Sequence, residues 1–143
     1  NTYHFALKAY DEKPNASVLS NSTSAAAKND TTAPAALTNL AASAGAMEGM
    51  INLTWVAPGD DAWICTSADY VVKYSTSTIN NQTDFNNATT YFQSWTPAAA
   101  LASESRTLTG LNGGTTYYVA VEARDEALVQ AVLSNAASAA VLI

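Results

Sequence analysis

This chain has one cysteine, Cys65, and one histidine, His4, among its 143 residues. A lone cysteine closes no disulfide within the chain, and zinc-type centres need several His or Cys ligands. Cys65 is therefore expected to be a partly buried structural thiol. A nucleophile triad needs a histidine oriented by a carboxylate. His4 sits on the outward parity of a short strand, which argues against catalysis. Charge is also scarce, at 13% against roughly 25% in ordinary globular proteins. Six Lys and Arg face twelve Asp and Glu, giving a net charge of −6. Nucleic-acid binding is excluded on that ground, since phosphate demands a basic stripe. No apolar run reaches the ~18–20 residues of a membrane span. Polarity comes instead from Ser, Thr and Asn, a composition suited to a secreted or surface β-protein.

What is present is a repeat. Thr2–Ala26, TYHFALKAYDEKPNASVLSNSTSAA, aligns without a gap on Thr116–Ala140, TYYVAVEARDEALVQAVLSNAASAA, at an offset of 114, with 13 of 25 positions identical. Self-similarity at a fixed period marks repeated supersecondary units. The chain thus reads as the tail of one module followed by a whole second copy: residues 1–27 the last two strands, 28–34 a linker, 35–143 a complete domain. A start inside a repeat also reads as a mature or excised segment.

Period-two alternation supplies the strands. Thr2–Tyr10 alternates and turns at Asp11–Asn15, and Ser17–Ser24 returns. Ala35–Ala44 is a weaker strand. Ile51, Leu53 and Trp55 alternate with Asn52, Thr54 and Val56, then break at Ala57-Pro58-Gly59-Asp60-Asp61. Tyr70, Val72 and Tyr74 mark the next strand. Ser75–Asn87 is polar and reads as a loop. Ala88–Trp95, Glu104–Thr109 and the two strands of the closing repeat complete the domain. Short strands spaced by turns, with no helical periodicity, predict an all-β, seven-stranded sandwich.

Leu111-Asn112-Gly113-Gly114-Thr115-Thr116-Tyr117 resembles the corner and sixth strand of a fibronectin type III domain. The resemblance makes Tyr117 the corner tyrosine, its ring buried and its hydroxyl bonded to backbone upstream. Tyr3 takes the same post in the preceding module. Trp55 matches the family's core tryptophan, and Tyr70–Thr76 its third strand. Trp55–Asp61 and Asp11–Asn21 resemble a prokaryotic secreted subtype, although Pro14 stands where that subtype has glycine. Ala62–Cys65 and Ala127–Gln130 depart further, with apolar residues in place of turn residues. The structural core implied is Tyr3, Trp55, Tyr70, Tyr74, Leu111 and Tyr117.

The fold is a scaffold with many uses, so function must come from sites. Asp60 and Asp61 are weak calcium candidates, with Asp69, Asp125 and Glu126 as further carboxylates; calcium takes six to eight oxygens, and no calcium-loop spacing occurs. No cofactor is expected. Asn15, Asn21, Asn29, Asn52, Asn81 and Asn87 each head an N-glycosylation acceptor triplet. Trp63, Ile64, Leu128 and Val129 are apolar residues in loops, which often mark a contact surface.

The expectation is a non-catalytic structural or adhesive module of an extracellular or cell-surface protein. Its partners would be other copies of itself or neighbouring modules, met through residues 1–27. Added strands at an open sheet edge would make it a filament or surface-layer subunit. The alternative is a spacer or carbohydrate-binding domain of a secreted hydrolase, with Trp63, Tyr91, Phe92 and Trp95 as the aromatic row.

Overall fold

The computed structural model describes residues 1–143, which divide into two compact units, Asn1–Asp30 and Thr31–Ile143. The first unit is a hairpin. Strands β1 (Thr2–Phe5) and β2 (Thr23–Ala26) pair antiparallel with Tyr3 opposite Ala25 and Phe5 opposite Thr23. Beyond the ladder the two arms stay joined: Ser20 N donates to Leu7 O at 3.0 Å and Ser17 N to Ala9 O at 2.8 Å.

The second unit holds seven strands in two sheets. One sheet orders β3 (Ala41–Ala44), β4 (Ile51–Val56) and β7 (Ser103–Leu108) as β3-β4-β7. The other orders β6 (Thr89–Tyr91), β5 (Asp69–Ser75), β8 (Thr116–Arg124) and β9 (Ala137–Ala140) as β6-β5-β8-β9. All pairings in both sheets are antiparallel. This three-on-four order is that of a fibronectin type III sandwich, so the all-β expectation holds.

Alternation decides which side chains meet between the sheets. Ile51, Leu53 and Trp55 of β4 point inward, as do Tyr70 and Val72 of β5, Leu108 of β7, and Tyr117, Val119, Val121 and Ala123 of β8. Each large aliphatic residue so buried stabilises the fold by about 1.5–3 kcal/mol. Trp55 meets Tyr70 edge-on with ring centroids 5.3 Å apart, and Tyr74 meets Tyr117 likewise at 5.6 Å. Aromatic pairs favour such edge geometry because the ring edge is positive and the face negative.

Three expectations need correction. Ser75–Asn87 is not all loop, because Gln82–Asn87 forms a helix, α1. The Asn81 side chain caps it by accepting from Asp84 N at 3.0 Å, which satisfies one otherwise unpaired donor of the first turn. Phe85 then drops onto Ala120 and Ile79 and forms a second small core on the outer face of β8. Cys65 is exposed rather than partly buried; it lies in a left-handed conformation at φ 62°, inside a loop whose Trp63 and Ile64 are also exposed. Tyr3 is 52% exposed and belongs to no core in this chain, because the hairpin of the first unit has no second sheet of its own to cover it.

Candidate functional site

The closing hairpin of the second unit and the hairpin of the first are two copies of one hydrogen-bonded design. Asp125 Oδ1 accepts from Val129 N at 2.7 Å, and Asp11 Oδ1 from Asn15 N at 3.0 Å. Ser134 Oγ accepts from Val121 N and donates to Asn135 O; Ser20 Oγ does the same with Leu7 N and Asn21 O, all at 2.7–2.9 Å. The pairs Asp11-Glu12 and Asp125-Glu126 therefore form turns. Both hairpins also carry the same outer bridge, Tyr10 with Ala16 and Arg124 with Gln130.

Burial is where the copies part. Tyr117, Val119 and Val121 are 6%, 0% and 0% exposed, whereas Tyr3, Phe5 and Leu7 are 52%, 55% and 77% exposed. In the second unit β5 covers one edge of β8 from Tyr118 through Arg124, and the β3-β4-β7 sheet covers the inner face. The first unit presents the same edge and the same apolar parity uncovered. That surface, Tyr3 and Phe5 on one face of β1 with Leu7 at the same parity beyond its end, is the candidate site.

Tyr117 shows how such a strand is pinned. Its ring is buried and its hydroxyl accepts from Asn112 N at 3.3 Å. Leu111, beside it, is buried as well.

At the loop end of the sandwich, Gly59 N donates to Ala62 O and Asp60 N to Ile64 O, at 2.8 and 2.7 Å. Ser67 Oγ ties the loop down by donating to Gly59 O at 2.8 Å. This tight turn pushes Trp63 (42% exposed) and Ile64 (67% exposed) outward. Leu128 is exposed at the tip of the other turn, while Val129 is half-buried. Among the carboxylates, Asp60 and Glu126 bring oxygens within 4.8 Å of each other. Asp61 is half-buried in the same loop. Asp69 is engaged elsewhere, accepting from Arg124 Nε at 2.8 Å and from Arg124 Nη2, which raises the pKa of the guanidinium. Asp125 is buried, its Oδ1 committed to the turn.

The aromatic row is divided by burial. Trp95 stacks on Trp55 and Tyr91 at 6.2 and 6.0 Å inside the sandwich flank, and only Phe92 and Trp63 stand exposed. The acceptor asparagines are similarly varied. Asn15 donates its amide to Asp11 Oδ2 at 2.9 Å, Asn52 accepts from Thr107 Oγ1 at 2.8 Å, and Asn81 caps α1. Asn21, Asn29 and Asn87 are exposed.

Two residues were not singled out from the sequence. Glu104 is 4% exposed; its Oε1 accepts from Tyr70 OH and Ala98 N, each at 2.7 Å, and its Oε2 pairs with Arg106 at 2.7 Å. Burial, with this carboxylate beside it, raises the Tyr70 pKa. The signal was its inward parity with Leu108. Asn135 is the other, and its signal was its recurrence as Asn21 in the repeated Val-Leu-Ser-Asn.

No family model matches the chain. It is 30% identical over 131 residues to mouse calcium-activated chloride channel regulator 1, a match that takes in 88% of the chain and 14% of that protein. Among solved structures, a human fibronectin type III domain superposes with a TM-score of 0.49 at 17% identity, covering 74% of each chain. A β-1,2-glucanase from Parabacteroides distasonis superposes with a TM-score of 0.48 at 21% identity, covering 80% of this chain and 13% of the enzyme. The chain therefore spans a small fraction of the much longer curated relative. No helix is long and apolar enough to cross a membrane.

Proposed function

We propose that this chain is a non-catalytic structural or adhesive part of a tandem array in a secreted or cell-surface protein. Residues 1–27 close one fibronectin-like module, 28–34 link, and 35–143 form the next. The observation that carries this is the pairing of identical turn bonds with opposite burial: Tyr3, Phe5 and Leu7 are held in the conformation of Tyr117, Val119 and Val121 but lie open. The match to the mouse protein is longer than the second unit alone, so it runs into the first, which supports hairpin and domain lying in tandem within one long polypeptide. In a filament or surface layer the same hairpin would meet strands of a neighbouring subunit.

The test compares the chain alone with the chain extended at its N-terminus by a second copy of residues 31–114, which restores the strand order before Asn1. Amides of His4, Ala6, Lys8 and Tyr10, which alternate with those bonded to the return arm, are expected to exchange freely in the short chain, kept monomeric, and to be protected in the extended one. Concentration-dependent protection together with polymer growth in light scattering would identify the filament form. Free exchange in both chains would sink the proposal.

A further inference from the structure

Asn135 makes three hydrogen bonds to one short segment. Its Oδ1 accepts from Leu40 N at 3.0 Å, its Nδ2 donates to Leu40 O at 2.8 Å, and its backbone N donates to Leu37 O at 3.3 Å. Leu37 and Leu40 are buried, 0% and 4% exposed. They precede β3, so their backbone groups lie outside the sheet ladder there. A carboxamide suits this task because it offers one acceptor and one donor, matching the N–H and C=O of a single residue. Unpaired, those groups would each bear the penalty of a buried polar atom.

Asn21 stands at the position of Asn135, after a serine that already makes both of the corresponding bonds. It is exposed. Resting on the closing-hairpin reading above, we propose that Asn21 is the strand clamp of the preceding module. Its carboxamide takes the backbone N–H and C=O of one residue in that module's first strand, an extended segment with two buried apolar residues three apart, as Leu37 and Leu40 are. The occupant is thus polypeptide backbone from a sandwich of the same kind, read by hydrogen bonding to the main chain. Asn21 heads an acceptor triplet, and this assignment gives it a role that triplet does not imply.

The extended chain tests this directly. In it, Asn21→Ala is expected to speed amide exchange at the added copy of Leu40 by about tenfold or more, as loss of the two side-chain bonds implies. Asn135→Ala is expected to do the same to the original Leu40. The conservative Asn21→Asp keeps the acceptor for the N–H and should give a smaller effect, which keeps the test informative if Asn21→Ala unfolds the added module. If the hairpin amides are protected but the added Leu40 is indifferent to Asn21→Ala, or responds equally to Ala and Asp, the clamp is wrong and the closing-hairpin reading stands. If the hairpin amides stay unprotected in the extended chain, the reading falls and the clamp with it.

Discussion

Tyr3 and Tyr117 occupy one position in two copies of the same hairpin, and their exposures are 52% and 6%. Backbone conformation is local to the hairpin, set by the Asp-Glu turn and the serine that bridges its arms. Burial is not local, because it needs a second sheet. The pair therefore separates what a hairpin can specify alone from what a sandwich adds.

That separation predicts unequal mutants. Tyr117→Phe removes the bond from Asn112 N and is expected to destabilise the second unit by about 1 kcal/mol. Tyr117→Ala is expected to cost about 3–5 kcal/mol, the range for deleting a large buried ring. Tyr3→Phe and Tyr3→Ala should leave the urea midpoint of the chain unmoved. A Tyr3→Ala shift as large as that of Tyr117→Ala would mean the hairpin is covered in this chain after all.

Much of the sandwich was legible because burial on one face imposes period two. Ile51, Leu53 and Trp55 show it, and so do Tyr70 and Val72. Other parts were hidden for physical reasons. Helix α1 has six residues, too few for a 3.6-residue period, and its only signals are the Asn81 cap and Phe85. Leu37 and Leu40 are spaced three apart, so they follow no strand alternation; their backbone is satisfied by Asn135, a side chain distant in sequence. Of the site, the repeat revealed the hairpin and the motif gave Tyr117. Glu104 was hidden because a charged residue at an inward position looks like an outward one until Tyr70 is seen beside it.

Glu104 is expected to matter more than any surface charge. Glu104→Ala strands Tyr70 OH and Ala98 N and leaves Arg106 with only Thr96 O as a hydrogen-bond acceptor. Removing one member of a buried ion pair costs about 3–5 kcal/mol, and Arg106 is partly solvated, which places the expected loss near the lower end. Chemical denaturation measures it. A loss under about 1 kcal/mol would show that the network behaves as a surface salt bridge.

Gly59 has no room for a side chain. A Cβ there would lie 2.1 Å from Ile64 O and 2.3 Å from Ile64 N, both backbone atoms of the loop that carries Trp63. Gly59→Ala must open that loop, and a loss above about 2 kcal/mol with altered Trp63 fluorescence is expected. Leu128 gives the opposite sign. It is non-glycine at φ 64° and exposed, and a left-handed residue with a Cβ is strained by roughly 1–2 kcal/mol. Leu128→Gly is expected to stabilise the second unit, by less than that figure because glycine also frees the unfolded chain. An unchanged or lowered thermal midpoint would show that Leu128 contributes contacts which outweigh the strain.

The Asp11 turn gives a pH dependence with a definite sign. Its carboxylate accepts from the Asn15 side chain, Asn15 N and Lys13 N, which lowers its pKa below the ordinary 3.8. A carboxyl whose folded pKa is depressed contributes stability that is fully present above its unfolded value and is lost as pH falls through the folded value. The turn should therefore keep its order at neutral pH and down to about pH 5, and lose it on acidification below the unfolded pKa near 3.8. Amide shifts of Lys13 and Asn15 followed by NMR titration report this directly, since both protons point at the titrating oxygens. Asp11→Asn should remove the transition and leave both amides in their acid-form positions throughout. Titration of those amides at or above the ordinary carboxylate value in the parent chain would mean that the three bonds do not favour the ionised form.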